Sequence, residues 1–268
     1  MNGEICLVTG ATDGIGKVTA RVLAERGATV IGVGRDAAKI EATIAEVGAT
    51  PGTLEFLQAD LSSQAQVRAL AAEFKSKYAQ LHILVNNAGA LFTTYRESVD
   101  GIEMTFALNH LGYFLLTNLL LDTIKASAPA RIINVASDAH EGSAINFDDL
   151  GQRQGYSGWS TYGASKLANI LFTYELARRL AGTGVTVNTL HPGWVNTNFS
   201  AAAGLNMRGP LTSEEGADTQ IWLATSTEVD GVTGKYFVRR HDTRSSKPSY
   251  DERIAQRLWD VSAEMVGL

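Results

Sequence analysis

Short apolar runs alternate with longer stretches of helical period along the whole chain. EICLVT (4–9), ATVIGV (28–33), LEFLQA (54–59), HILVNN (82–87), RIINVAS (131–137), VTVNTL (185–190) and KYFV (235–238) are mostly apolar and rich in β-branched residues, and they read as strands. Helical patterns fall between them, at about 15–26 (stopped by Gly27), 36–47, 63–78, a longer region through 127, then 160–181, 213–226 and 250–265. Strands that are apolar throughout, rather than alternating, need cover on both faces. Repeated strand–helix units build a parallel sheet with helices on both sides. No Pro- or Ser-rich linker divides the chain, and no internal repeat is visible. The pattern predicts one α/β domain over 1–268, a doubly wound parallel sheet of about seven strands.

Composition narrows the function classes. Of 268 residues, 45% are apolar, enough for an ordinary core. Glycine is abundant at 26 and proline scarce at 5, so bare backbone is needed somewhere, without a collagen period or a flexible linker. The net charge of −5 lacks the basic footprint of a nucleic-acid binder. One cysteine, Cys6, excludes an internal disulfide and a Cys-clustered zinc site, and suits a reducing cytoplasm. Cys6 itself is expected to be a small core residue of the first strand. The five histidines show no metal-ligand spacing, so no metal is expected. The N-terminus carries no basic n-region. The most apolar helical run, LGYFLLTNLLL at 111–121, is shorter than the roughly 20 residues that span a bilayer. A cytoplasmic protein without a membrane anchor is the expectation.

The first strand runs straight into Thr9-Gly10-Ala11-Thr12-Asp13-Gly14-Ile15-Gly16, where a helix begins. Glycines there permit a tight turn, a close backbone approach to a pyrophosphate and close helix–strand packing. The helix N-terminus offers free N–H groups and the positive end of its dipole. A glycine trio alone is a common turn; between strand one and helix one of an alternating chain it indicates a dinucleotide. At the end of strand two, Gly34 stands where a ribose-binding acid is expected, and Arg35 follows. A guanidinium suits a 2′-phosphate, and Lys17 could add charge nearby. Asp13 and Asp36 argue the other way, although Asp36 could simply cap the next helix. NADP(H) is favoured, with NAD(H) open.

Tyr162 and Lys166, four apart, share one face of a predicted helix. A free tyrosine titrates near pH 10, and a cation one turn away favours the phenolate. Such a pair is often mere surface. Its context raises it, because Ser137, Asn86-Asn87-Ala88-Gly89 and His191-Pro192-Gly193 all end strands at the carboxyl edge where open α/β sheets bind ligands. His191 is expected to fix the strand-end loop.

With these residues the chain resembles the short-chain dehydrogenase/reductase family. TGATDGIG at 9–16, Asp60-Leu61, NNAG at 86–89, Asn109, Ser137, YGASK at 162–166 and Pro192-Gly193 carry the likeness nearly end to end. The glycine spacing resembles the compact branch, not the extended sugar-nucleotide-modifying one. The resemblance implies a Rossmann fold and catalysis by Asn109, Ser137, Tyr162 and Lys166. Tyr162 would exchange a proton with the substrate oxygen as hydride moves to or from the nicotinamide. Lys166 would lower the Tyr162 pKa and hold the nicotinamide ribose. Ser137 would bond the carbonyl oxygen, and Asn109 would position a water behind Lys166. Gly10, Thr12, Asp13, Gly14, Ile15, Gly16 and Arg35 would border the phosphates, Asp60 and Leu61 the adenine. Asn87, Ala88 and Gly89 would border the ribose, and Pro192, Gly193, Val195 and Thr197 the nicotinamide end. A homo-oligomer, dimer or tetramer, is implied, with the helices at about 110–127 and 160–181 at the dimer contact.

His140, INFDDL at 145–150, SKLANILFTYELARRL at 165–180, TGVTVNTLHPGWVNT at 183–197 and GVTGKYF at 231–237 are similar to the retinol dehydrogenase-like and WW-domain oxidoreductase-like subgroup. The long stretch between Ser137 and Tyr162 suits it too. That stretch (about 138–160), with Gly142, Gly151, Gly155, Gly158 and Trp159, is expected to wall the substrate pocket. A lid at about 194–212, with Trp194, Phe199, Leu205 and Met207, is expected to cover it. His140, Trp159, Trp194 and Phe199 are the substrate candidates beside Ser137. Apolar side chains there suggest a lipophilic aldehyde or ketone. The rival reading is a non-catalytic redox sensor of the same fold, which would have no need of a proton donor.

Overall fold

The apolar runs form strands that feed two cores at once. In the computed structural model, which describes residues 1, 3–197, 199 and 209–268, β1 (Ile5–Thr9) sends Leu7 to one face and Cys6 and Val8 to the other. β4 (Ile83–Asn86) and β5 (Ala130–Val135) split in the same way, Leu84 and Ile132 against Ile83, Val85 and Ile133. Alternate side chains point to opposite faces, so an all-apolar strand requires helices on both. β2 (Thr29–Gly34), β3 (Thr53–Gln58), β6 (Val185–His191), β7 (Tyr236–Val238) and β8 (His241–Asp242) complete the sheet, in the order β3-β2-β1-β4-β5-β6-β7-β8. Seven strands are parallel and β8 is antiparallel. At the edge, β3 exposes Thr53, Glu55 and Gln58.

The eighth strand escapes the sequence pattern because its turn is atypical. A two-residue hairpin turn of type I′ needs positive φ at both central residues and usually holds Asn or Gly. Here Arg239 and Arg240 take φ of 49° and 65°. Arg240 is held by Asp218 on α7 (Ser213–Thr225), and its N–H bonds Thr219 Oγ1 at 3.2 Å. Tertiary contacts thus hold a conformation that arginine alone would avoid.

α1 (Gly14–Glu25) packs with α7 on one face. α2 (Ala37–Val47) lies beside β2 and β3. The other face carries α3 (Gln64–Lys77), α5 (Gly112–Ala126), α6 (Gly158–Arg179) and α8 (Glu252–Val266). The helical region before residue 127 is one rod. α4 (Met104–Phe106) passes through a π-helical turn (Ala107–Leu111) into α5. Over Met104–Ala126 it is 23 residues long and apolar enough to cross a bilayer, longer than the run at 111–121 suggests. Its apolar stretch is 72% buried inside the domain, so it serves here as a core helix.

α8 closes the second face of the domain. It lies across α5 and α6, the helices expected at a dimer contact. Trp259 packs at 5.0 Å from the Phe114 ring and 5.8 Å from Phe172, under the Arg179 guanidinium at 4.1 Å. On α6, 18 of 22 residues are buried within the single chain. The chain's own C-terminal helix thus packs on both of these helices.

A buried histidine ties these helices. His110 Nε2 lies 2.9 Å from Ser262 Oγ on α8, and Nδ1 lies 3.4 Å from Asn169 Oδ1 on α6. Burial lowers the ring from 6.5 to about 4, against a small opposing effect of Asn169. The unfolded chain takes up a proton that the folded one refuses. Stability from this group is whole above about pH 6.5 and is lost as pH falls toward 4. His110→Gln is expected to lose about 2 kcal/mol less than the wild-type chain between pH 7 and pH 5 in urea unfolding. Parallel declines would assign the acid sensitivity to other groups.

Candidate functional site

The strand order reverses between β1 and β4, and helices diverge to opposite faces there, leaving a crevice at the carboxyl edge. The two strand ends are clasped together. Thr9 Oγ1 accepts from the Asn87 and Ala88 N–H groups at 2.8 and 3.0 Å, and Asn87 Nδ2 donates to Thr9 O at 2.8 Å. The clasp explains the glycines. A Cβ on Gly16 would overlap the Gly10 carbonyl and the Asn87 amide, and Gly10 has φ of 67° with Ala88 against it. Asp13 caps α1, its carboxylate accepting from Gly14 N at 2.7 Å.

The crevice has a volume of about 850 Å³. It gathers every residue expected at the cofactor, from Gly10, Thr12, Asp13, Gly14, Ile15 and Gly16 through Arg35, Asp60, Leu61, Asn87, Ala88 and Gly89 to Pro192, Gly193, Val195 and Thr197. Ser137, Tyr162, Lys166, Trp159, Trp194 and Phe199 line it as well.

At one end the charges sort themselves. Arg35 faces the crevice, with its backbone held by Gln58 Nε2 at 3.0 Å. Asp36 caps α2 through Lys39 N at 3.2 Å. Lys17 is turned away, paired with Glu46 at 2.8 Å, so it adds no charge to the crevice. Lys39, on the first turn of α2, does line it beside Arg35. The sequence pattern hid Lys39 because it reads as one more solvent-facing residue of a polar helix.

At the other end, Tyr162 is buried between rings, 6.3 Å from Trp159 and 5.2 Å from Phe199, with Leu91 packed on it. Leu91 and Phe92, next to the NNAG motif, are wall residues that no spacing rule flagged. Lys166 reaches back from α6, and its Nζ donates to Val135 O at 2.9 Å. It lies 5.6 Å from the Tyr162 ring centroid, against the ring face. The expected lowering of the Tyr162 pKa is not what the protein's own groups produce. Burial pushes the phenol above its usual 10; Ser137 acts to lower it and Asp138 to raise it. Burial also lowers Lys166 from 10.5 to about 7. Desolvation outweighs charge in a pocket this dry.

Asn109 sits on the π-helical turn, outside the crevice wall. Its Oδ1 accepts from Ala90 N and its Nδ2 donates to Ala90 O, both at 2.9 Å. The side chain therefore pins the loop after β4, and the backbone carbonyl accepts from Asn169 Nδ2 at 2.9 Å. His191 Nδ1 accepts from Asp138 N at 3.1 Å and fixes the strand-end loop as expected.

Two expectations need correction. His140 is not on the substrate wall. It is buried, its Nδ1 donates to Ser137 O at 2.6 Å, and its Nε2 accepts from Ser246 N at 3.0 Å. Those bonds fix the ring's orientation and staple the Ser137 loop to the C-terminal segment. The stretch at 138–160 is also not a continuous wall. Ile145, Phe147 and Leu150 pack on the main core, with Arg257 of α8 4.1 Å over the Phe147 ring. Only Asp138, Ala139 and Trp159 of that stretch reach the crevice. Of the expected lid, Trp194 is 59% exposed at the rim, while Leu205 and Met207 lie outside the described residues.

Comparison with known proteins agrees with this geometry. Residues 4–207 match the model of the short chain dehydrogenase family. Retinol dehydrogenase 14 of Homo sapiens is 44% identical, over 100% of this chain and 88% of that protein. A solved structure from Mycobacterium Paratuberculosis superposes with a TM-score of 0.82 at 34% identity, covering 98% of this chain and 93% of that one. The NADP active-site complex of Pseudomonas aeruginosa RhlG gives 0.70 at 31% identity, over 88% and 94%.

Asn109→Ala would leave both backbone polar groups of the half-buried Ala90 without this partner. A loss of about 1–2 kcal/mol in urea unfolding is expected. An unchanged midpoint would mean that the loop is held elsewhere.

Proposed function

The chain belongs to the short-chain dehydrogenase family, and from that premise we propose that it is an NADP(H)-dependent oxidoreductase interconverting a lipophilic aldehyde or ketone and its alcohol. A dinucleotide-dependent exchange between alcohol and carbonyl comes with the family; the phosphate and the substrate class are the proposal. The observation that carries it is a single crevice with a glycine cradle and two cations at one end and Ser137, Tyr162 and Lys166 at the other.

The residues fit a dinucleotide. Gly10, Gly14 and Gly16 keep side chains away from the first turn of α1, whose amides have no helical partner. A Cβ on Gly89 would press on Asn109 Oδ1 at 3.2 Å and Lys166 Nζ at 3.4 Å, so a ribose edge has room only because that position is bare. Asn87 Oδ1 is buried with no protein partner among the described residues, which suits a ribose hydroxyl. Arg35 and Lys39 together supply the charge that a 2′-phosphate requires. The RhlG complex is a relative that holds NADP.

When bound, the nicotinamide supplies or accepts the hydride. Tyr162 gives its proton to the carbonyl oxygen as charge develops there, and takes it back in oxidation. The Ser137 hydroxyl donates to the same oxygen, stabilising that charge. Lys166 holds positive charge against the Tyr162 ring, favouring the phenolate left after proton transfer. The raised phenol pKa makes Tyr162 a poor spontaneous acid until further positive charge enters the crevice. Leu91, Phe92 and Phe199 give the crevice an apolar wall, with Trp159 and Trp194 at its rim, which suits an apolar substrate.

Purified protein is expected to oxidise NADPH with medium-chain or aromatic aldehydes. Tyr162→Phe should lower kcat by about a hundred- to ten-thousandfold while NADPH still binds. Equal turnover in the variant would refute the mechanism. Arg35→Ala and Lys39→Ala should each weaken NADPH by about ten- to a hundredfold in fluorescence titration and NADH by far less. Equal losses for both nucleotides would remove the phosphate role.

A further inference from the structure

Lys166 has a second aromatic neighbour that the mechanism above does not use. Tyr113, on the first turn of α5, is fully buried and is the largest of the fully buried side chains. The Lys166 ammonium lies 5.7 Å from its ring centroid, matching the 5.6 Å to Tyr162. Both distances fall within the roughly 6 Å over which a ring face attracts a cation, an attraction worth most in a desolvated place. The ammonium is thus held between two tyrosines, one on its own helix and one behind it.

The hydroxyl of Tyr113 is the informative atom. It is buried, and no protein group among the described residues bonds it. Phenylalanine would fill the same space without the cost, about 1–3 kcal/mol, of a buried unpaired hydroxyl. Lys166 shows a matching deficit, with three N–H donors and one bond, to Val135 O. One turn along α5 from Tyr113, Thr117 accepts from Asn86 Nδ2, and Asn86 Oδ1 is a second buried acceptor without a partner among the described residues. A cluster of under-satisfied polar groups around a buried cation is what an internal water requires.

We propose that Tyr113 is a positioning residue for Lys166: its ring backs the ammonium and its hydroxyl holds a buried water that accepts from it. The charged form of Lys166 is thereby favoured in a pocket whose dryness opposes it. The groups facing Lys166 are Tyr162 on α6, Tyr113 on α5, the Asn109 side chain on the π-helical turn and the Val135 carbonyl on β5. Among the described residues no carboxylate acts on it; Asp138 acts on Tyr162 instead. Tyr113 therefore has no charged competitor for this task. The proposal rests on Lys166 working beside Tyr162, as in the function proposed above.

Tyr113→Phe removes one atom and keeps the ring. NMR titration of the full chain labelled at lysine Cε, with the Lys166 signal assigned by Lys166→Arg, reads the ammonium directly. The midpoint is expected to fall by about one pH unit, the size of one lost hydrogen bond to a charged group. The pH profile of kcat/KM should move the same way, with thermal stability unchanged or raised. An unchanged Lys166 midpoint overturns the proposal. So does a midpoint that moves while the kcat/KM profile stays fixed, because Tyr113 would then tune Lys166 without serving the reaction. If the wild-type chain reduces no carbonyl compound, the proposed function fails and this positioning role fails with it. A shifted NMR midpoint would then still separate that failure from an idle Tyr113.

Discussion

The clasp between β1 and β4 is the constraint on which the site depends. Thr9 accepts from two successive backbone amides beyond β4, and Asn87 returns a bond to the Thr9 carbonyl. The bonds bring two parallel strand ends together at the place where the connecting helices diverge to opposite faces. Everything above the clasp must then be thin. Gly10 and Gly16 are bare because the clasp leaves no volume for a Cβ. The crevice is a consequence of sheet order, and the glycines keep it open.

At the far end the governing balance is between burial and charge. Tyr162 and Lys166 are each driven toward their neutral forms by desolvation. The same dryness strengthens every interaction made inside. Releasing a proton from Tyr162 therefore requires compensating positive charge in the crevice. The buried hydroxyls, amides and rings around Lys166 keep that balance within reach. Their placement depends on α5 and α6 being locked together, and α8 provides the lock.

Much of this was legible along the chain. Each of the seven parallel strands lies within a residue or two of its predicted run, because burial on both faces leaves an uninterrupted apolar signature. Arg35, Ser137 and the glycine turn could be placed by their position at strand ends, and Tyr162 by its spacing of four from Lys166 on one helix face. Lys39 could not, since a lysine on a polar helix carries no mark of which neighbour it faces. His140 misled for the same reason. A histidine in the loop after a strand end has the chemistry for a substrate site, and only its bonds to Ser137 O and Ser246 N show it turned inward. Leu91 and Phe92 merge with core residues in any hydrophobicity pattern.

The amino-acid order by itself determined the doubly wound sheet, the dinucleotide turn and the face shared by Tyr162 and Lys166, because these are set by local period and by strand ends. The tertiary structure decided what α8 covers, where the 138–160 stretch goes, which cations reach the crevice, and which tyrosines meet Lys166. Those outcomes join residues far apart in the chain. Their physical terms, desolvation and the pairing of buried polar groups, have no value until distant elements are packed together.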